Sequence, residues 1–161
     1  MSFQICIKTD KSLQEIAREM QELLSLPPFT QNAFAGEPYC QFEMMGMHIL
    51  IQFTDEEDRD PEVKQYPYRF DMHLSLMDLD LDADAIEYGL QPYYAQLLAG
   101  RLGFETACLE KQRAGRHWQI RYRFYCKNPQ WDESRLFGEE GWKPPILVAT
   151  PSRWRVVIPG L

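Results

Sequence analysis

The feature that most constrains the fold is an unbroken alternation of apolar and polar side chains from Tyr68 to Leu76. Its apolar members are Tyr68, Phe70, Met72, Leu74 and Leu76, and its polar members are Arg69, Asp71, His73 and Ser75. Alternation of period two over this length is typical of a strand with one buried face and one solvated face. The stretch therefore predicts a sheet that packs one face on a core.

Further alternating runs predict a sheet of about six strands. The runs lie at about 3–8, 39–45, 47–54, 68–77, 105–110 and 117–127. Gly46 lies between two of them, which indicates a tight hairpin. In the last run the side expected to face the core is Trp118, Ile120, Tyr122, Phe124 and Cys126, and the side expected to face solvent is Gln119, Arg121, Arg123 and Tyr125.

Two helices are predicted between the strands. Apolar residues at helical spacing over 13–24 predict the first, and Ser12 with Glu15 has the spacing of a capping box. We expect the main part of the second helix to begin at Pro92 and to end at Gly103, because proline suits a first helical position and glycine suits a C-terminal stop.

The order β-α-β-β-β-α-β-β predicts an α+β fold, a two-layer α/β sandwich. Two helices would cover one face of a mostly antiparallel sheet, and the other face would stay partly open. At 161 residues we expect a single domain over 1–161. Residues 1–127 would form the sandwich core, and 128–161 an aromatic-rich C-terminal tail packed on the core or at an interface.

Composition favours a cytoplasmic protein without a cofactor or a metal site. No run of 18 apolar residues is present, and the N-terminus lacks the regions of a signal peptide. The four cysteines are widely spaced without a C-x-x-C pair, so we interpret them as small core residues. The Asp78-x-Asp80-x-Asp82-x-Asp84 run lacks the glycine and the final acid of an EF-hand loop.

The net charge of −7 is concentrated in two acidic blocks. The first is Asp55, Glu56, Glu57, Asp58, Asp60 and Glu62, and the second is Asp78, Asp80, Asp82, Asp84 and Glu87. Charge runs of this kind are either solvated loops or surfaces that complement a basic partner. Tyr66 and Tyr68 lie near the first block and join the candidate contacts. Asp82 or Asp84 is the expected cap of the second helix.

A basic stretch from Lys111 to Lys127 raises nucleic-acid binding as a function, because it holds six bases and no acid. Alternation predicts Trp118 and Tyr122 in the core, which leaves Tyr125 beside the arginines. The acidity of the whole chain also opposes binding to a polyanion. We therefore favour a charged sheet face on which four residues pair with one another: Arg69, Asp71, Arg121 and Arg123.

Two alternatives of other classes remain. The first is a small-molecule-binding domain or small enzyme that uses the open sheet face, with the candidate ligand-binding residues His48, Asp71, His73, Arg121 and Arg123. A deep pocket lined by these residues would favour it. No nucleophile elbow or glycine-rich phosphate loop is present, so no catalytic residue is predicted. The second alternative is a homodimer or larger homo-oligomer in which the basic strand of one copy meets the acidic loops of another.

The layout resembles the small cytosolic immunity proteins of bacterial polymorphic-toxin and contact-dependent growth inhibition systems. The matching features are the opening helix over 13–24, the 47–54 strand that runs into Asp55-Glu56-Glu57-Asp58, the Tyr66-to-Met72 segment, and the helix at 94–99. The resemblance covers residues 1–127 and lies in layout and charge. It implies a non-enzymatic inhibitor that binds one cognate toxin, often a basic nuclease, and blocks its active site.

Overall fold

The computed structural model describes residues 3–75 and 81–158, which form one open antiparallel sheet of nine strands with two helices packed on it. The strands are β1 (Phe3–Lys8), β2 (Thr30–Phe34), β3 (Glu37–Met44), β4 (Met47–Phe53), β5 (Tyr68–Leu74), β6 (Glu105–Ala114), β7 (His117–Lys127), β8 (Ile146–Val148) and β9 (Arg155–Val157). The helices are α1 (Leu13–Leu23) and α2 (Ala83–Leu102). The α+β class is confirmed, and the expected six strands are corrected to nine.

The main core lies between the helices and the middle of the sheet. The strand order is β2-β3-β4-β5-β1-β6-β7-β8, and β9 also pairs with β7. In the central strand, Ile5 lies opposite Phe70 on one side and Cys108 on the other. Met20 of α1 and Leu98 of α2 pack on this face and are fully buried. Burial of these apolar side chains supplies most of the driving force for folding.

The opposite face carries a second, smaller core that the sequence did not predict. Cys6 and Tyr122 point away from the helices and are covered by Val63, which comes from the segment between β4 and β5. The rings of Tyr66 and Phe124 lie 6.0 Å apart at its margin. This face, which we expected to stay partly open, is covered over part of β1, β6 and β7.

The predicted sides of β7 need correction for the same reason. Tyr125 was expected to face solvent, but it is 4% exposed in the main core, whereas Trp118 was expected inside and is 43% exposed. The apolar side of the strand, with Tyr122, faces the second core rather than the helices. Alternation shows that a strand has two different faces, but it does not show which layer covers each one.

Both helices begin at the predicted caps, but α2 does not begin at Pro92. The capping box of α1 is confirmed, since Ser12 and Glu15 each accept a backbone hydrogen bond from the other. In α2, Asp82 accepts from the Ala85 backbone N–H at 3.0 Å, and the helix continues through Pro92 to its end before Gly103. Pro92 lies on the exposed side of α2, so the backbone hydrogen bond that proline cannot donate is missing on the solvent side of the helix.

The last part of the chain extends the sheet. β8 and β9 both pair with the outer edge of β7. A Cβ added at Gly100 would lie 3.0 Å from the Ile146 side chain, so α2 and this segment are in close contact. Within the described residues, no helix has the length and apolarity needed to cross a membrane.

Candidate partner-binding site

The first acidic block lies in the segment between β4 and β5, and a backbone hydrogen bond closes the base of this segment. We call the segment from Thr54 to Pro67 the acidic lobe. It contains two 3₁₀ turns, Glu56–Asp58 and Pro61–Val63, and the Thr54 N–H donates to the Pro67 carbonyl at 2.9 Å to close its base. Proline suits the first position of the second turn, because its N–H would have no partner there.

The inner half of the lobe, Asp60 and Glu62, is tied to the sheet by charge pairing. The Tyr122 hydroxyl donates to Asp60 at 2.7 Å. The Arg155 guanidinium donates to both carboxylate oxygens of Glu62, at 2.9 and 3.2 Å, and lies 3.4 Å from Asp60. This bidentate contact lowers the pKa of Glu62 below its ordinary value. The inner carboxylates are therefore structural, since they hold the lobe over the second core.

The outer half of the lobe is left unpaired. Its four carboxylates are exposed and have no ion-pair partner in the part of the chain that the structure describes: Asp55, Glu56, Glu57 and Asp58. The two cations of the lobe bind main-chain oxygens instead. Arg59 donates to the Thr54 carbonyl at 2.8 Å and to the Lys64 carbonyl at 2.6 Å, and Lys64 donates to the Glu56 carbonyl at 2.6 Å. The two basic side chains therefore stabilise the backbone of the lobe and do not neutralise its carboxylates.

A fifth acid, Glu37, joins the outer half. One oxygen of Glu37 accepts from the Asp55 backbone N–H at 3.0 Å, and the other accepts from the Gln52 side chain at 2.9 Å. The carboxylate oxygens of Glu37, Asp55 and Asp58 lie within 4.8 Å of one another. The register of a hairpin around Gly46 sets Glu37 opposite Thr54, so the sequence alone could have predicted that Glu37 lies beside the acidic block. We call these five residues, Glu37 and 55–58, the outer acidic surface.

Hydrogen bonds connect this surface to the middle of the sheet. Gln52 accepts from Arg69 at 3.2 Å while it donates to Glu37, and Arg69 in turn donates to Asp71 at 2.7 Å. Asp71 is 7% exposed, and its burial raises the pKa of its carboxyl, although Arg69 opposes that shift. The chain of contacts holds the Glu37 carboxylate in place beside the backbone of Asp55.

The same surface could contribute ligands to a hard divalent cation. Calcium takes roughly six to eight oxygen ligands and magnesium takes six. The cluster of Glu37, Asp55 and Asp58 offers three. Clusters of exposed acids are common without an ion.

The remaining predicted contact residues are dispersed. Asp78 and Asp80 lie outside the described residues. Asp82 caps α2, and Asp84 is exposed in its first turn. The two candidate tyrosines are half-buried and take part in packing: Tyr66 lies against Phe124, its pKa raised to about 12 by burial, and the Tyr68 hydroxyl donates to the Lys11 carbonyl at 2.8 Å.

The five residues proposed for a ligand site do not form one. His48 and His73 are cross-strand neighbours and share a face with Asp71. Arg121 and Arg123 lie on the other face, where both bind Glu110. The expected pairing of Arg69 and Asp71 with these two arginines therefore does not occur.

Two cavities in the described part of the chain also lie away from those five residues. A cavity of about 100 Å³ beneath the acidic lobe is lined by Cys6, Arg59 and Tyr66 among others. It is smaller than the pockets of roughly 300 Å³ or more that hold organic ligands. A groove of about 730 Å³ lies between α2 and the C-terminal segment, beside Leu97 and Trp131.

Comparisons of the chain with protein-family models, with curated proteins and with solved structures gave no match. Function must therefore be inferred from the surfaces of the molecule itself.

Proposed function

We propose that this chain is a non-enzymatic binding protein whose outer acidic surface binds a basic protein. The observation that supports this function is the division of charges in the acidic lobe. Arg59 and Lys64 bind backbone carbonyls, and four adjacent carboxylates stay exposed without a cation among the described residues.

Carboxylates that are held close together repel one another until a cation approaches. The oxygens of Glu37, Asp55 and Asp58 lie within 4.8 Å of one another. The backbone that carries them is held by the hydrogen bond from the Asp55 N–H to Glu37 and by the paired inner half of the lobe. A basic partner would relieve this repulsion on contact. It would also be steered towards the surface before contact, which makes association fast and sensitive to salt.

We further propose that the partner is a toxin and that the chain acts as its immunity protein in the cytoplasm. A nuclease carries a cationic cleft for phosphate groups, and a row of exposed carboxylates can occupy such a cleft in place of nucleic acid. The four free cysteines fit a reducing compartment.

If the chain is an immunity protein, we expect the gene for its toxin immediately upstream. The test is binding to the protein encoded there, measured by titration calorimetry at low and high salt. One variant reverses the surface with Glu56→Lys, Glu57→Lys and Asp58→Lys. A matched control makes the same charge change at three exposed acids elsewhere: Glu22→Lys, Glu133→Lys and Glu140→Lys.

The proposal predicts binding that weakens with salt, a loss of at least about 100-fold for the surface variant, and a much smaller loss for the control. No binding to the upstream product, or equal losses in the two variants, would overturn it.

A further inference from the structure

Strand β2 forms one end of the sheet and pairs on one side only, with β3, among the described residues. All five of its residues are exposed, and Phe34 is 73% exposed. An edge strand presents a row of backbone donors and acceptors to any other strand that can approach it.

The hairpin geometry shows which backbone groups face outward. The turn between β2 and β3 consists of Ala35 and Gly36, with φ of 51° and 86°, as a two-residue type I′ turn requires. In such a hairpin Phe34 and Glu37 form the hydrogen-bonded closing pair, and bonded and non-bonded pairs then alternate along the strands. The N–H and C=O groups of Gln31 and Ala33 therefore point away from β3.

A proline in β3 supports this assignment independently. Pro38 lies opposite Ala33, at a pair that should make no ladder bond. Because proline has no N–H to donate, it is compatible with β3 at this pair, where no N–H is directed at β2.

The β2 edge lacks the features that usually prevent sheets from joining. No charged residue and no proline occurs between Phe29 and Gly36. At the other end of the sheet, β8 and β9 are only three residues long, and Arg155 lies in β9. Short strands and charged residues are the usual protection of a sheet edge, and β2 has neither.

We propose that the β2 edge binds the same edge of a second copy of this chain. An edge with charges would repel its own copy, whereas this one meets only uncharged side chains across a two-fold axis. With the axis beside Asn32, Gln31 of one copy lies opposite Ala33 of the second copy, and four backbone hydrogen bonds form. Phe34 then packs beside Thr30 of the second copy, so its exposed ring is covered.

The effect of salt distinguishes this dimer from the other complexes proposed for the chain. Each copy carries a net charge of −7, and the contact itself is uncharged. Screening the repulsion between copies should strengthen the dimer. A homo-oligomer built from acidic loops and the basic strand would weaken with salt, as would the partner complex proposed above.

The experiment is analytical ultracentrifugation of the full chain over a wide concentration range, at low and high salt. Ala33→Pro removes an outward N–H without removing a bond to β3, and the matched control Ala33→Val keeps that N–H. Asn32→Glu is a second variant that places two like charges at the axis. The melting temperature of each variant shows whether it is folded.

We expect the wild type and Ala33→Val to dimerise with rising concentration, more tightly at high salt. Ala33→Pro and Asn32→Glu should each weaken dimerisation by about tenfold or more. A monomer at all concentrations, a dimer that salt dissociates, or a dimer unaffected by both folded variants would overturn the proposal.

Discussion

The inner and outer halves of the acidic lobe are adjacent in the sequence, yet their carboxylates have opposite environments. Asp60 and Glu62 are paired with Tyr122 and Arg155, while the carboxylates of 55–58 face solvent without a cationic partner among the described residues. The difference comes from a residue 93 positions away from Glu62. Side chains on distant strands, here Tyr122 and Arg155, therefore determine which acids of a charged block have a structural role.

The largest effect is expected beneath the inner half, at Tyr122. Tyr122→Ala should lower the free energy of unfolding by about 3–5 kcal/mol, because it leaves a cavity in the second core. Tyr122→Phe should lower it by only about 1 kcal/mol, since it removes the hydrogen bond to Asp60 alone. Urea denaturation measures both. A loss below about 1 kcal/mol for Tyr122→Ala would mean that the second core does not stabilise the fold.

Removing the cation of the inner half should have an intermediate effect. Arg155→Met removes the cation beside Glu62 and Asp60, although Asp60 keeps its hydrogen bond from Tyr122. We expect a loss of about 1–2 kcal/mol after allowing for the partial exposure of Arg155. Arg153→Met is the matched control, because Arg153 is exposed and has no ion pair or side-chain hydrogen bond with a described residue; it should change stability by less than about 0.5 kcal/mol. Equal losses in the two variants would contradict the pairing.

The same pair predicts a pH dependence. The pKa of Glu62 is lower in the folded state than its ordinary value of 4.5, because Arg155 donates to its charged form. The contribution of the Glu62–Arg155 pair to the free energy of unfolding is therefore fully present above the ordinary pKa of Glu62. It is lost as the pH falls through the lower pKa of the folded state. Urea denaturation between about pH 3 and 7 should show wild type and Arg155→Met converging at the acid end. A difference in stability between the wild type and Arg155→Met that grows as the pH falls would contradict this prediction.

The smallest effect is expected in the outer half and has the opposite sign. Asp58→Asn removes one of three converging carboxylates that have no described cation beside them. It should raise stability by about 0.3 kcal/mol, or about 1 °C in the melting temperature, and salt should reduce the gain. A fall in the melting temperature would mean that the Asp58 carboxylate has a stabilising role.

The sequence predicted the elements whose alternation or periodicity is strong. The α1 helix and the strands of the sheet centre were found within a few residues, as was the Gly46 hairpin. β2 was missed because all of its side chains are exposed, so no alternation marks it. The path of α2 through Pro92 was missed because a proline on the exposed side of a helix is tolerated more readily than its propensity suggests.

The candidate site was predictable only in part, because sequence spacing reveals charge but not pairing. The block from Asp55 to Glu62 was recognised, while its division into paired and unpaired halves depends on Arg155 in β9. Glu37 was missed although hairpin register places it beside the block. The predicted ligand-binding site was wrong because we expected the polar sides of β5 and β7 to lie on the same face of the sheet. The register places Asp71 of β5 and Arg121 of β7 on opposite faces.

The most direct test of the account is the rate of association with the upstream-encoded protein as a function of ionic strength. Stopped-flow measurements on the wild type should give a rate constant that falls steeply as salt rises, and a variant with Asp55→Asn, Glu56→Gln, Glu57→Gln and Asp58→Asn should show a slower and much flatter dependence. A rate constant with the same salt dependence in both proteins would show that the unpaired carboxylates do not recognise a basic partner.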